Sequence, residues 1–112
     1  MLLSAALLNL TPHAIVLRTA LGDVTFPPSG TVARVAAVAA DTGLVVAGVR
    51  VIRNTYGPVT GLPDGDEPCI VSGMVLAALP AGTPNVYAPA TGATAIRDER
   101  GQVIAVTELV AA

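Results

Sequence analysis

The sequence predicts a mainly β protein, a small antiparallel barrel or sandwich of about six to eight strands with one short helix. Three observations carry that expectation. Aliphatic runs of strand length recur along the chain, and several are apolar on both faces. Clusters of Gly, Pro, Asn and Asp separate them. Only Ser72–Leu79 has the cap, apolar stripe and stop of a helix.

The elements follow in chain order. Met1–Leu8 is apolar but lacks the basic start of a secretory signal, and Pro12 and His13 follow too soon for a tidy cleavage site. It is also well short of the ~20 apolar residues that span a bilayer. It reads as a buried first strand, with residues 1–6 the segment expected to be disordered, in a cytoplasmic protein. His13–Arg18 is a strand with His13, Ile15 and Leu17 on one face, and Leu21-Gly22-Asp23 turns it into Val24–Phe26. Pro27 and Pro28 stop ladder pairing, and Ser29-Gly30 makes a second turn.

Thr31–Ala39 and Leu44–Arg53 are the longest strand candidates. Ala40-Asp41-Thr42-Gly43 joins them, with Gly43 suited to the left-handed position. Because both are largely apolar on both faces, each needs packing on both sides, from the core within and from a helix or another subunit without. Asn54–Pro68 reads as a surface loop. Its acids Asp64, Asp66 and Glu67 form a solvated turn or, in the sharper reading, meet a hard cation, although the spacing lacks the full calcium-loop pattern.

In Ser72–Leu79 the serine caps, Met74, Val75, Ala78 and Leu79 form the stripe, and Pro80 ends the helix. β-Branched Ile70 and Val75 keep a continuous strand as the competing assignment. Asn85–Ala88 is expected to be a short edge strand between Pro84 and Pro89. Ala93–Arg97 and Gln102–Leu109 close the chain as a hairpin. At its turn Asp98 accepts local backbone bonds and Gly101 takes positive φ.

Composition narrows the function classes. A chain of 112 residues is expected to form one domain, 1–112, with one modest core built from Val, Ala, Leu and Ile around Phe26, Tyr56 and Tyr87. With 53% hydrophobic but only 12% charged residues, apolar patches are left outside, and a homo-oligomer is the natural remedy. The net charge of −2 disfavours duplex nucleic acid. All six basic residues are Arg. Biased base composition explains that, as does selection for bidentate contacts to carboxylate or phosphate, and the two explanations are compatible.

Candidate chemistry is sparse and sits in the turns. Cys69 is the sole cysteine, in an apolar run, and reads as a buried inert thiol rather than a nucleophile. His13, the sole histidine, reads as a partly buried, hydrogen-bonded structural residue or as a general base or ligand contact. One His and one Cys assemble no soft metal site. Ser29, His13 and Asp98 supply the residue types of a hydrolase, but there is no Gly-x-Ser-x-Gly elbow, and Ser29 reads as a turn hydroxyl. Arg97-Asp98-Glu99-Arg100-Gly101 is either a self-neutralised hairpin tip or a place where Arg97 turns inward to grip an anion while Asp98 orients it. Tyr56 and Tyr87 are the rings available to stack on a base.

Taken in order, Asn9-Leu10-Thr11-Pro12-His13, Pro27-Pro28-Ser29-Gly30 with Ala33-Arg34, Tyr56-Gly57 with Gly61-Leu62-Pro63, Ile70-Val71-Ser72, Ala88-Pro89 and Arg97-Asp98 resemble a family of small proteins encoded by bacteriophages and prophages, many in actinobacterial hosts. The resemblance runs from residue 8 to about residue 106. It departs at Ala81–Asn85, which is Gly/Pro-rich where relatives carry charge. It implies no assigned activity, only an accessory role in infection, such as antagonism of host defence or a part in the virion or its assembly.

The leading expectation is a non-enzymatic binding protein, without a cofactor, that captures a small anionic molecule. A nucleotide-derived immune signal is the specific case. Arg97, Asp98, Tyr56, Tyr87, His13, Asn9, Thr11 and Arg34 are the candidate ligand-binding residues. The alternatives are a phage structural or assembly protein, for which the two-sided strands are interfaces, and a small hydrolase.

Overall fold

The computed structural model describes residues 7–112; the segment 1–6, expected to be disordered, lies outside the described residues. In chain order the elements are β1 (Leu8–Asn9), β2 (Ile15–Thr19), β3 (Gly22–Phe26), β4 (Arg34–Val46), β5 (Val49–Thr60), β6 (Cys69–Ile70), α1 (Gly73–Ala78), β7 (Val86–Pro89), β8 (Ile96–Arg97), β9 (Val103–Ala105) and β10 (Leu109–Ala111). The protein is mainly β with one short helix, as the sequence predicts. The strands form no closed barrel. One four-stranded sheet, in the order β1-β6-β7-β10, is joined by the separate hairpins β2-β3, β4-β5 and β8-β9.

The central sheet is mixed rather than antiparallel. β6 runs parallel to both β1 and β7, and only β7-β10 is antiparallel. A parallel pair needs a crossover of a dozen or more residues, and the segment between β6 and β7 supplies it with α1. Asn85–Ala88, expected at an edge, therefore becomes an inner strand flanked by β6 and β10. The helix forms as its cap predicts: Ser72 is extended (φ −68°, ψ 159°), and its hydroxyl accepts the Val75 N–H at 3.2 Å. Val75 and Leu76 are its buried residues, whereas Met74, assigned to the apolar stripe, points outward.

The core gathers around this crossover. Leu10, Ala33, Cys69, Val71, Val75, Leu76, Val86 and Ala88 pack together, with Val35 and Val59 from the base of the β4-β5 hairpin against them. Two further backbone bonds tie the β2-β3 hairpin to the C-terminal segment: Arg18 N–H donates to the Val106 carbonyl at 2.8 Å and Val106 N–H to that of Val16 at 2.9 Å.

The long hairpin departs furthest from expectation. Its turn is not at Ala40–Gly43 but at Ala47-Gly48, both at positive φ (53° and 84°), the requirement of a two-residue turn between twisted strands. Gly43 does take the left-handed conformation (φ 78°), inside a bulge where the register shifts between Asp41 and Leu44. The bulge is held locally: Gly43 N–H donates to Asp41 Oδ1 at 2.8 Å, and Thr42 Oγ1 donates across to the Val51 carbonyl at 2.7 Å. β5 then continues through Asn54–Thr60, expected to be loop. Pro58 is tolerated because the ladder is already irregular opposite Ala36, where the register shifts again.

Two strands of 13 and 12 residues thus form an arm. Beyond its base it is exposed almost throughout. The Cα radius of gyration is 16.8 Å and the extents are 56 × 39 × 25 Å, against about 13 Å for a compact chain of this length. The accessible surface, 7375 Å², exceeds by more than about 1,000 Å² the value that surface scaling gives for this mass.

Candidate functional site

The block Asn9–His13 folds into a hydrogen-bonded knot. Leu10 is stitched on one side to β6, by its N–H to the Ile70 carbonyl, and on the other to the Ala33 N–H through its own carbonyl, both at 2.9 Å. Asn9 is consequently buried, and its amide is used at both ends. Oδ1 accepts the Thr11 N–H at 2.9 Å, while Nδ2 donates to the carbonyls of His13 at 2.7 Å and Phe26 at 2.9 Å. These partners leave a single orientation of the amide, since a backbone N–H demands an acceptor and the two carbonyls demand donors. Thr11, also buried, places its hydroxyl between Asn9 Oδ1 at 2.7 Å and the His13 carbonyl at 2.9 Å.

Asn9 and Thr11 therefore spend their polar atoms on each other and on the backbone of Thr11, His13 and Phe26. The His13 side chain is exposed, contrary to the expected partial burial, and its imidazole takes no part in the bonds that hold the block, which engage its backbone. It lines a cleft of about 290 Å³ between β2 and the C-terminal segment. Ile15, Pro89, Thr91, Ile104 and Val106 are among the other walls.

The turn 97–101 folds as its residues predict. Asp98 Oδ1 accepts the N–H groups of Arg100 at 2.8 Å and Gln102 at 3.0 Å, and Gly101 takes φ 80°. Arg97 pairs with neither acid of its turn. Its guanidinium donates through Nη1 to the Gly101 carbonyl at 2.7 Å and through Nη2 to the Thr91 carbonyl at 2.8 Å. Since Thr91 lines the His13 cleft, Arg97 is one hydrogen bond from its wall, with guanidinium N–H groups still uncommitted.

The other candidates lie apart. Tyr56 is exposed on the arm, opposite Ala37. Tyr87 is half-buried in β7, paired with Ile70 and Ala111. Arg34 begins β4 and lines, with Thr11, Ser72 and Met74, a groove of about 230 Å³ at the N-terminal end of α1. The hydrolase combination is not assembled. Ser29 Oγ bonds to the Thr31 backbone and Asp98 Oδ1 to its own turn, and neither meets His13.

Cys69 is buried, and burial, with Glu67 nearby, pushes its thiol up, so the thiolate is disfavoured. Asp64, Asp66 and Glu67 are exposed, and no group of three metal-ligating side chains converges among the described residues. The sequence reading overlooked the apolar wall contributed by Val103–Val106. Val103 and Ile104 are exposed and Ala105 and Val106 buried, a pattern that the uniformly apolar run does not announce, and the Leu17-Val106 bridge sets it beside β2, the strand that follows His13.

No helix among the described residues is long and apolar enough to cross a membrane. No protein-family model matches the chain, nor does any curated protein or solved structure.

Proposed function

We propose that the protein is a small-ligand-binding protein that takes an anionic, nucleotide-like molecule at the His13 cleft. The carrying observation is the Arg97-Thr91 hydrogen bond, which tethers a guanidinium beside an apolar cleft that has an imidazole on its rim. A planar apolar group would occupy the cleft, while the anion would meet Arg97 and the imidazole N–H. Asn9 and Thr11 serve this site by fixing the backbone of His13, and Asp98 by shaping the turn that presents Gly101 to Arg97. Phage origin and a role in sequestering a host immune signal extend the same reading through the resemblance of the sequence blocks. The long exposed arm favours a second reading, a phage assembly component.

Calorimetric titration with mono-, di- and cyclic nucleotides separates them. Charge-assisted bonds to phosphate contribute about 1.5–3 kcal/mol, so Arg97→Ala is expected to weaken binding about tenfold or more. Arg100→Ala, the same charge change at the hairpin tip, leaves it unchanged. Equal binding by Arg97→Ala and wild type removes the site. If the wild type binds no anion, the assembly reading replaces this one.

A further inference from the structure

The β4-β5 arm is the largest feature that the His13 cleft does not use. A two-stranded hairpin is marginal in water without a third strand or a packed face. Here only the base, through Val35 and Val59, touches the core. Further out Val38, Leu44, Val45, Val46, Val49 and Ile52 are all about half exposed or more. Residues 42–49 carry no charge at all. Cross-strand register puts Val45 and Ile52 on one face, beside an exposed ion pair of Arg50 and Asp41 at 3.6 Å, and Leu44, Val46, Val49 and Val51 on the other, which is wholly apolar at this end of the arm. Both outer edges also present unpaired backbone donors and acceptors, a template for association.

Charge identifies the occupant. The arm, residues 34–60, holds Arg34, Arg50 and Arg53 against one acid, Asp41, for a net +2. The rest of the chain holds seven acids and three arginines, for a net −4. Arm against arm brings like charges together, whereas the arm of one copy against the body of another pairs opposite ones. The area agrees: an excess of more than about 1,000 Å² per copy makes more than about 2,000 Å² for a pair, the size of a permanent interface.

We infer that the β4-β5 arm of one copy lies along the body of a second copy of this chain, which covers its apolar residues and offsets its net positive charge. This goes beyond ligand capture and is independent of it, because no residue of the His13 cleft belongs to the arm.

The test is light scattering across a concentration and salt series. Wild type is expected at twice the chain mass of 11.2 kDa or a higher multiple. The double substitution Val46→Asp with Val49→Asp is expected to shift it to monomer. Arg50→Glu with Arg53→Glu should weaken association at least tenfold at low salt. Far-UV circular dichroism checks that each variant keeps its strands, and hydrogen exchange of wild type reads the arm directly, its amides slowing as protein concentration rises. A monomeric wild type overturns the inference, as does an oligomer that survives the valine substitutions. Dissociation by the valine pair without any effect of the arginine pair means arm-to-arm contact and overturns the arm-to-body arrangement.

Discussion

Asn9 shows how one buried amide can organise a whole segment. Its removal leaves the buried Thr11 N–H without its acceptor and takes a donor from the part-buried carbonyls of Phe26 and His13, the latter keeping its bond from Thr11 Oγ1. Unsatisfied buried groups cost about 1–3 kcal/mol each, so Asn9→Ala is expected to cost at least about 2 kcal/mol, read as a lower denaturation midpoint. Thr11→Val tests the same knot with a near-isosteric side chain and should cost less, since it removes the hydroxyl bonds but leaves the Asn9 bonds to backbone groups in place. A different residue-scale effect belongs to Arg18 and Asp23, a bidentate pair at 2.9 and 3.0 Å across the first hairpin. The hydrogen bond from Arg18 holds the Asp23 carboxyl below its ordinary value of 3.8. A depressed folded-state value contributes stability above the unfolded value that is lost as pH falls through the folded one. Asp23→Asn should therefore lower stability slightly at neutral pH, by a small amount because the pair is solvent-exposed, flatten the acid limb of a stability-pH profile by the same amount, and converge with wild type as pH falls below about 4.

Two positions at positive φ, one in the turn of the long hairpin and one just after its second strand, carry opposite predictions. Ala47 sits at φ 53° in the turn, where a Cβ costs about 1–2 kcal/mol. Ala47→Gly should recover roughly 1 kcal/mol after the added unfolded-state entropy, seen as a rise of several degrees in Tm. Gly61 sits at φ 90° just after β5, and a Cβ there would lie 2.7 Å from the Val32 carbonyl and 3.1 Å from the Ala33 Cα, both backbone. Gly61→Ala should cost more than about 2 kcal/mol, because the conformational penalty and the overlap add and neither neighbour can swing away. Thermal melts of the two variants side by side check the contrast. At this scale the sequence was partly legible. Ser72 and Pro80 bracket the helix because capping is a bond over three residues, and Asp98 marks its turn because its carboxylate reaches only the next few N–H groups. The same local signals misplaced the long turn. Asp-Thr-Gly has the composition of a reversal, but it became a bulge, and Ala-Gly took the turn, which extends the ladder past the bulge through Leu44-Val51, Val45-Arg50 and Val46-Val49.

For the whole molecule, the proposed arm-to-body arrangement ties the stability of a small core and a large exposed arm to association. Tm is expected to rise by several degrees over a hundredfold increase in protein concentration, as mass action stabilises the bound form. A Tm independent of concentration would mean that the arm is stable alone. What the sequence by itself determined is whatever rests on bonds between near neighbours or on side-chain composition: strands with two apolar faces, the capped helix, the Asx turn at Asp98, and too little charge to cover the surface. Only the tertiary structure decided the parallel β1-β6-β7 pairing, the inner place of Val86–Pro89, and the meeting of His13 with Thr91 and thence Arg97. Those pairings join residues far apart in the chain through strands as short as two residues. Such strands hold too few side chains for any periodicity to announce them, and their partners are chosen by how the crossover helix buries Val75 and Leu76.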